Sequence, residues 1–257
     1  MTAVVHTGLL TARLLRVFVR MPVYLFMNLV QPMMWLLLFG ALFSGVVRLP
    51  GFGEESYLEF LTPGIVMMMA LFGSAWAGTA FVEDMSRGVM DRFLASPTSR
   101  GALMVATMAY QSVLAVLQTL VVLGVAWLAG ARLGGGVGGV LLLLLGVVLL
   151  TSALSAMSNA VALVAGTQEA LIGISQLVSL PLMFVSSAIM DTRLSPDWVG
   201  QVARFNPFEW AVVVGRQALS DTPDLGLLWG HAGLLAGLAV VVAALATLAF
   251  RARQKAA

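Results

Sequence analysis

The 257-residue sequence contains no cysteine and only two histidines, His6 and His231. The absence of cysteine excludes disulfide bonds, thiolate catalysis and cysteine-ligated metals. Two histidines are too few for a metal cluster, and the sequence has no HExxH motif, nucleophile elbow or paired-carboxylate site. We therefore expect no catalytic residue and no metal site in this chain.

Charge is also scarce. Charged residues make up 10% of the chain, hydrophobic residues make up 60%, and the net charge is +2. A soluble domain carries roughly 25% charged residues, because its surface must stay hydrated. A chain this poor in charge cannot cover its surface in water. With its long apolar runs, the sequence predicts an all-α integral membrane protein.

Lysine is almost absent, with Lys255 the single example, so the basic residues are nearly all arginine. Alanine, glycine, valine and leucine are abundant. This composition is typical of a bacterium of high genomic G+C content. We therefore expect the protein in a bacterial plasma (inner) membrane.

Six apolar segments are long enough to cross the membrane as helices. Crossing about 30 Å of hydrocarbon takes about 20 residues. The first segment is longer than the apolar region of a cleaved signal peptide, so we expect it to be retained as a span. The predicted spans are 22–47, 60–82, 101–130, 137–164, 171–190 and 226–250.

An amphipathic segment, 1–21, precedes the first span. Arg13, Arg16 and Arg20 alternate there with apolar residues at helical spacing. This pattern predicts an interfacial helix on the lipid headgroups, with the arginines reaching toward water. A disordered tail is the alternative.

The basic residues also predict the orientation. Three Arg or Lys residues lie before span one, three between spans two and three, and three after span six. The five arginines of the opposite side are diluted by acidic residues. Because positive charge is enriched on the cytoplasmic side, we predict that both termini are cytoplasmic.

Small residues recur at a spacing of four along several spans. Examples are Gly226 with Gly230, Gly233 with Gly237, and Ser74 with Gly78. Small faces allow two helices to approach closely in a membrane. We expect these faces to pack within the chain, and a subunit interface is the alternative.

The segment 191–225, on the predicted outer side, carries two helix-start signals. Ser195 before Pro196 fits an N-cap with proline at the first helical position, and Asn206 before Pro207 fits a second start. Glu209, three residues after Asn206, completes a pattern close to a capping box. We predict two short helices, about 196–205 and 207–219, that form a re-entrant hairpin in the outer leaflet. A loop folded against the bundle is the alternative.

The cytoplasmic segment 83–100 mixes charges of both signs with apolar residues at helical spacing. A simple connection between two spans needs only a few polar residues. The pattern predicts a short amphipathic helix, limited by Pro97, that docks onto a soluble partner or the membrane surface.

This segment resembles the coupling-helix region of ABC-2 type permeases. Three further stretches resemble the same family. They are Gln31-Pro32 with Trp35 and Phe39-Gly40, Tyr57-Leu58-Glu59-Phe60-Leu61-Thr62-Pro63-Gly64, and Phe205-Asn206-Pro207-Phe208. The matches spread over 22–216 and are most similar to the DrrB-like branch of drug and antibiotic exporters. Phe208-Glu209-Trp210 departs from the family, which often has small or aliphatic residues and Thr or Tyr there.

The resemblance implies a permease subunit that works with two copies of an ABC ATPase subunit and with a second permease copy or a related permease chain. ATP and magnesium would be bound by the ATPase, and no nucleic acid is involved. The sequence has no GxxxxGK[ST] motif, and its glycine run 134–139 lacks the Lys-Ser/Thr of a phosphate loop. We interpret that run as a turn and packing feature. The resemblance assigns coupling to the ATPase to Glu83, Asp84, Arg87, Gly88, Asp91, Arg92 and Pro97.

Candidate pathway residues are the polar, aromatic and methionine side chains of the spans and the hairpin. Polar groups within a membrane are costly and are often functional, whereas methionine adapts to varied ligands. The candidates are Asn28, Gln31, Trp35, Met68, Asn206 and Glu209.

The resemblance implies export of an amphipathic drug or antibiotic. Export of a lipid or lipid-linked glycan is the near alternative. A proton-coupled secondary transporter would need a carboxylate in mid-membrane, and no predicted span has one there; His231 is a candidate proton relay only under that alternative.

Overall fold

The computed structural model of the chain describes residues 7–8, 11–12, 14–16, 22–48, 56–86, 100–190 and 195–256, and all structural statements below concern these residues. They contain helices and no strand. The helices are α1 (Pro22–Leu42), α2 (Tyr57–Ala75), α3 (Thr79–Ser86), α4 (Arg100–Leu128), α5 (Gly136–Ala165), α6 (Gln168–Phe184), α7 (Asp197–Ala203), α8 (Pro207–Leu219) and α9 (Leu225–Ala256).

The all-helical prediction is confirmed, and four helices are long and apolar enough to cross a membrane. These are Tyr57–Ala75, Val105–Leu128, Gly136–Ala162 and Leu225–Leu248. Two more predicted spans correspond to the shorter apolar helices Phe26–Leu42 and Gln168–Phe184. The 17 residues of Gln168–Phe184 extend only about 25 Å at 1.5 Å per residue, somewhat less than the hydrocarbon thickness, whereas α1 as a whole has 21 residues.

The predicted boundaries of three spans were wrong. Instead of continuing to 47, α1 ends at Leu42 and a 3-10 helix follows at Ser44–Arg48. The second span starts at Tyr57 rather than 60, and it ends at Ala75 rather than 82 because the chain turns at 76–78 before α3. Helix α6 occupies Gln168–Phe184 in place of 171–190, and 185–190 is not helical.

Helix α2 forms the centre of the molecule. It packs against α1, α4, α5 and α8. Apolar side chains on all its sides are buried, including Leu61, Val66, Met67 and Leu71. A helix that is apolar all round belongs in the interior of a bundle, and α2 is accordingly the most buried of the four span-length helices.

The glycine run before and within the start of α5 lets that helix approach α8 closely. A Cβ at Gly135 or Gly139 would lie 2.1 Å from the carbonyl oxygen of Ala218. Side chains at these positions would therefore force the two helices apart. This geometry confirms the interpretation of the run as a packing feature.

The expectation that the small face of span six packs within the chain was wrong. Gly230, Gly233 and Gly237 lie on the outer surface of α9, and a Cβ at each would meet no atom within 4 Å. Gly78, by contrast, packs closely against α5. The sequence pattern identified small faces, but it did not distinguish an inward from an outward face.

The two short helices predicted at about 196–205 and 207–219 are present as α7 and α8. Helix α8 has the predicted bounds, and α7 is shorter than expected. The predicted Ser195 cap is wrong, because Pro196 occupies the N-cap position of α7 without a side-chain hydrogen bond. At α8 the prediction is confirmed: the Asn206 side chain accepts a hydrogen bond from the N–H of Phe208 (2.9 Å), and Pro207 follows it.

The N-terminal segment is helical where it is described, at residues 7–8, 11–12 and 14–16. The Thr11 hydroxyl donates a hydrogen bond to the carbonyl of Ala106 on α4 (3.4 Å). Arg16 is exposed, whereas Arg13 and Arg20 lie outside the described residues. The placement of this segment on lipid headgroups remains a prediction.

Candidate functional site

A polar cluster joins α8 to the segment 185–190 that follows α6. Asn206 is 4% exposed, and its amide donates hydrogen bonds to the carbonyls of Leu182 (2.7 Å) and Val185 (2.6 Å). Those carbonyls lie at the end of α6, where no further helical turn provides N–H donors. The Asn206 side chain therefore binds the last carbonyls of α6 and also caps the start of α8, which holds the first turn of α8 against α6.

Glu209 does not close the predicted capping box. The N–H of Asn206 donates to Ala203, and the Glu209 carboxylate turns instead toward Ser187. It accepts hydrogen bonds from the Ser187 N–H (2.6 Å) and the Ser187 hydroxyl (2.8 Å). The carboxylate thus binds a backbone donor of the non-helical segment that the sequence had assigned to a span.

Arg216 binds the same serine from two turns further along α8. One guanidinium nitrogen donates to the Ser187 hydroxyl oxygen (2.8 Å), and the other donates to the Ser187 carbonyl oxygen. The guanidinium carbon lies 3.8 Å from the ring centre of Phe60, a cation–π contact. Glu209 and Arg216, both half-buried, are therefore linked through Ser187. Each of the two charged side chains is hydrogen-bonded to this serine, which offsets the cost of burying it.

An aromatic row leads from α1 to this cluster. The ring centres of Trp35 and Phe39 are 4.7 Å apart, and those of Phe39 and Phe43 are 5.5 Å apart. The row continues from Phe43 to Tyr57 (5.8 Å) and from Tyr57 to Phe60 (6.0 Å). These separations are typical of interacting aromatic pairs. The row extends from partly exposed Trp35 to buried Phe60, the ring beneath Arg216.

The hydroxyl of Tyr57 fastens the row to the cluster's backbone segment. It donates a hydrogen bond to the carbonyl of Ile189 (2.9 Å). Further along α2, a Cβ at Gly64 would lie 2.1 Å from the carbonyl oxygen of Ala188. The backbone of residues 187–189 thus lies between α2 and α8, and it contacts both helices directly.

The structure brings some of the predicted pathway residues together and separates others. Asn206 and Glu209 lie in the cluster, and Trp35 begins the aromatic row. Gln31 is exposed on α1 and Asn28 is half-buried one turn before it, whereas Met68 is buried in the core. The candidates therefore do not form one continuous surface in the single chain.

Sequence reasoning missed the roles of Ser187 and Arg216 in the cluster. Ser187 was placed within a predicted span, where its backbone would have been used up by helical hydrogen bonds. Arg216 carried a usable signal, since it follows Glu209 by seven residues and both fall on one face of α8. The shared partner of the two charges could not be deduced from that spacing.

Most of the predicted coupling residues lie outside the described part of the chain. These are Arg87, Gly88, Asp91, Arg92 and Pro97. Glu83 and Asp84 belong to α3, and Glu83 is half-buried. Helix α3 begins directly after the turn at 76–78, and its last four residues, 83–86, are the start of the predicted coupling segment.

Clusters of metal-ligating side chains are absent from the described regions. No group of three or more His, Asp or Glu side chains there could hold a metal ion. His231 lies 2.8 Å from the Leu227 carbonyl oxygen through its Nδ1 atom, a contact within its own helix.

Comparison with known proteins adds independent information. A family model described as ABC-2 type transporter matches residues 6–219. Over 233 residues, the chain is 31% identical to the daunorubicin resistance ABC transporter permease protein DrrB1 of Streptomyces coeruleorubidus, covering 87% of this chain and 80% of that protein. It is also 29% identical over 197 residues to the putative transport permease ycf38 of Cyanophora paradoxa, covering 75% of this chain and 67% of the relative. The ycf38 protein of Porphyra purpurea is 26% identical over 205 residues, with coverage of 79% and 70%.

Proposed function

This chain belongs to the ABC-2 type transporter family, and we propose that it is the membrane-spanning permease subunit of an ATP-driven exporter of an amphipathic drug or antibiotic. The chain is a transport subunit and not itself the ATPase, as the relatives are named permeases. The observation that carries the proposal is the family match over 6–219 together with the drug-resistance permease among the relatives.

The proposed machine contains two copies of an ATP-binding subunit, which bind ATP and magnesium, and a second permease chain. The second permease is another copy of this chain or a related one. Free energy from ATP would enter through the coupling segment 83–100, of which Glu83 and Asp84 lie on α3. The assembly would stand in a bacterial inner membrane with both termini of this chain in the cytoplasm.

The proposed membrane arrangement has six spans and a re-entrant hairpin. Support for six spans comes from the four span-length helices and the shorter apolar helices Phe26–Leu42 and Gln168–Phe184. The hairpin is supported by α8, which starts beside Leu182 and Val185 and ends where Ala218 meets Gly135. Its 13 residues extend about 20 Å, too short to cross the hydrocarbon.

The proposed substrate path passes the aromatic row and the Ser187 cluster. Aromatic faces bind apolar parts of a ligand and also attract cations. An amphipathic molecule has both an apolar and a polar part, so it matches a row of rings that ends at paired charges. Trp35 is 40% exposed, which leaves its side chain open to a ligand from the bilayer.

The test reconstitutes the chain with its ATPase in vesicles and follows daunorubicin, the compound in a relative's name, as the probe. We expect daunorubicin to accumulate in the vesicles only when ATP is present. This accumulation should survive collapse of the proton gradient and should stop when the phosphate-loop lysine of the ATPase is replaced. Transport by this chain alone, driven by a pH gradient and abolished by an ionophore, would reject the proposal in favour of a proton-coupled carrier.

A further inference from the structure

The turn between α2 and α3 leaves two backbone groups without helical partners. In a continuous helix the N–H of Gly78 would bind the carbonyl of Ser74, and the N–H of Thr79 would bind the carbonyl of Ala75. Instead the N–H of Thr79 donates to the carbonyl of Trp76 (3.0 Å). The carbonyl of Ala75 and the N–H of Gly78 therefore need partners from elsewhere, because a buried unpaired backbone group is costly.

Two serines from other helices supply those partners. The hydroxyl of Ser158 on α5 donates to the Ala75 carbonyl (2.6 Å), and the hydroxyl of Ser175 on α6 donates to the same oxygen (2.8 Å). The N–H of Gly78 donates to the Ser158 hydroxyl oxygen (3.0 Å). A single hydroxyl thus replaces both an acceptor and a donor of the interrupted helix, and both serines are buried.

Gly78 makes this arrangement sterically possible. A Cβ at this position would lie 2.5 Å from the Ser158 carbonyl oxygen and 2.9 Å from the Cβ of Ala162. Any other residue would push the turn away from α5 and would lengthen the bond between Gly78 and Ser158. The close approach and the hydroxyl bonds therefore depend on one another.

We propose that Ser158 and Ser175 are positioning residues that hold a hinge at 76–78, and that this hinge transmits movement of α3 and the coupling segment to the bundle. The inference rests on the proposed function, since it assigns a step of ATP-driven transport. It follows from the location of the turn, because α3 leads directly into the predicted coupling residues after Ser86.

Two arrangements of the hinge would satisfy the same backbone groups. In the bent arrangement, Ser158 and Ser175 bind the Ala75 carbonyl, and Ser158 also binds the Gly78 N–H. In a straightened arrangement, helical hydrogen bonds to Thr79 and Ser74 would replace them. An element with two such arrangements can be biased by small forces at either end, which is what coupling between distant sites requires.

The first test measures the hinge itself in the full chain in lipid nanodiscs. The absence of native cysteine allows spin labels at two introduced sites, Ser86→Cys and Val164→Cys. Together, Ser158→Ala and Ser175→Ala remove the partners of the bent arrangement. Because α3 is about 12 Å long, straightening by about 30° should change the label distance by about 6 Å. An unchanged distance in this double variant would overturn the proposal.

Matched controls come from the same two helices. Ser155 and Ser179 are buried like Ser158 and Ser175, but the Ser155 hydroxyl donates within α5, to Ser152 (3.3 Å). Replacing Ser155 and Ser179 by alanine should leave the label distance as in the parent chain. An equal change in the control would show a general packing effect and would also overturn the proposal.

Gly78→Ala provides a second route if the serine variant does not insert. Its Cβ cannot lie against the Ser158 carbonyl, so it should change the label distance in the same direction. The single variant Ser158→Thr, which keeps native Ser175, retains the hydroxyl at 158. Its label distance should therefore equal that of the parent chain, unlike the distance in the serine double variant. A Gly78→Ala chain with the parent distance would contradict the hinge.

The second test measures coupling in vesicles that contain the complete complex with its ATPase, with daunorubicin as the probe. The serine double variant should move at least about five-fold less probe per ATP hydrolysed, within the usual range of coupling between sites. Ser158→Thr should restore the ratio. An unchanged ratio in the double variant would overturn the proposal. If the parent complex moves no probe, the proposed function fails, while the label distance still decides the hinge.

Discussion

At the scale of single residues, Arg216 illustrates how the chain accommodates a charge among apolar helices. Its guanidinium places two N–H donors on the oxygens of Ser187 and its flat face on Phe60. A planar group with fixed donors can make these contacts together, whereas an ammonium on a flexible stem cannot. Geometry as well as charge therefore determines the residue at this position.

We expect Arg216→Lys to lower the stability of the chain by about 1–3 kcal/mol, because hydrogen bonds from a charged donor are lost while the charge remains. The measurement is the unfolding temperature in mild detergent. Arg204→Lys is the matched control, since Arg204 lies at the end of α7, shortly before α8, and is exposed. Equal changes of unfolding temperature in the two variants would show that the contacts of Arg216 with Ser187 do not stabilise the chain.

Gly64 gives a second prediction at this scale. A Cβ there would meet the Ala188 carbonyl at 2.1 Å, and backbone on both sides leaves little room to adjust. Gly64→Ala should destabilise the chain by more than about 2 kcal/mol through overpacking. In the same helix, Gly73 is exposed with no atom within 4 Å of its Cβ position, so Gly73→Ala should stabilise by up to about 1 kcal/mol. The measurement is the thermal unfolding temperature of both variants. An unchanged unfolding temperature for Gly64→Ala would contradict the close contact with Ala188.

At the scale of elements, α3 connects the bundle to the predicted coupling segment. Replacing Glu83, Arg87 and Asp91 by alanine should reduce substrate-stimulated ATP hydrolysis by about ten-fold, because charge pairs at an interface typically contribute a few kcal/mol. The assay uses vesicles with the ATPase partner, and membrane insertion should be unaffected.

The control for this prediction is Glu169→Ala, which removes an exposed acid from the first turn of α6. It should leave the stimulation unchanged. Full substrate stimulation of ATP hydrolysis in the triple variant would contradict the prediction that segment 83–100 couples to the ATPase.

Helix α8 shows how far local signals determine an element. Asn206 and Pro207 marked the start of α8 correctly, because capping depends on neighbours in sequence. Glu209 was expected to close the cap, but it binds Ser187, more than twenty residues earlier. A longer-range partner replaced the local one, and no sequence spacing specified that partner.

At the scale of the whole molecule, the arginine distribution predicts which end of the bundle faces the cytoplasm. With an impermeant thiol reagent applied outside cells, Ser56→Cys and Thr222→Cys should be labelled, and Ser86→Cys and Ala252→Cys should not. The native chain provides a clean background because it contains no cysteine. Labelling at residue 86 from outside would reverse the orientation, whereas labelling of all four sites after cell lysis serves as the control.

The sequence by itself determined the membrane class, the approximate positions of the apolar helices and the family. These properties follow from composition, from the length of apolar runs and from motifs in chain order, all of which are local or additive. The outward direction of the α9 glycine face, the turn after Ala75 and the sharing of Ser187 by Glu209 and Arg216 were decided only by tertiary structure. Each depends on residues distant in sequence that meet in space: a helix ends at Ala75 because Ser158 and Ser175 can satisfy the groups that the turn exposes.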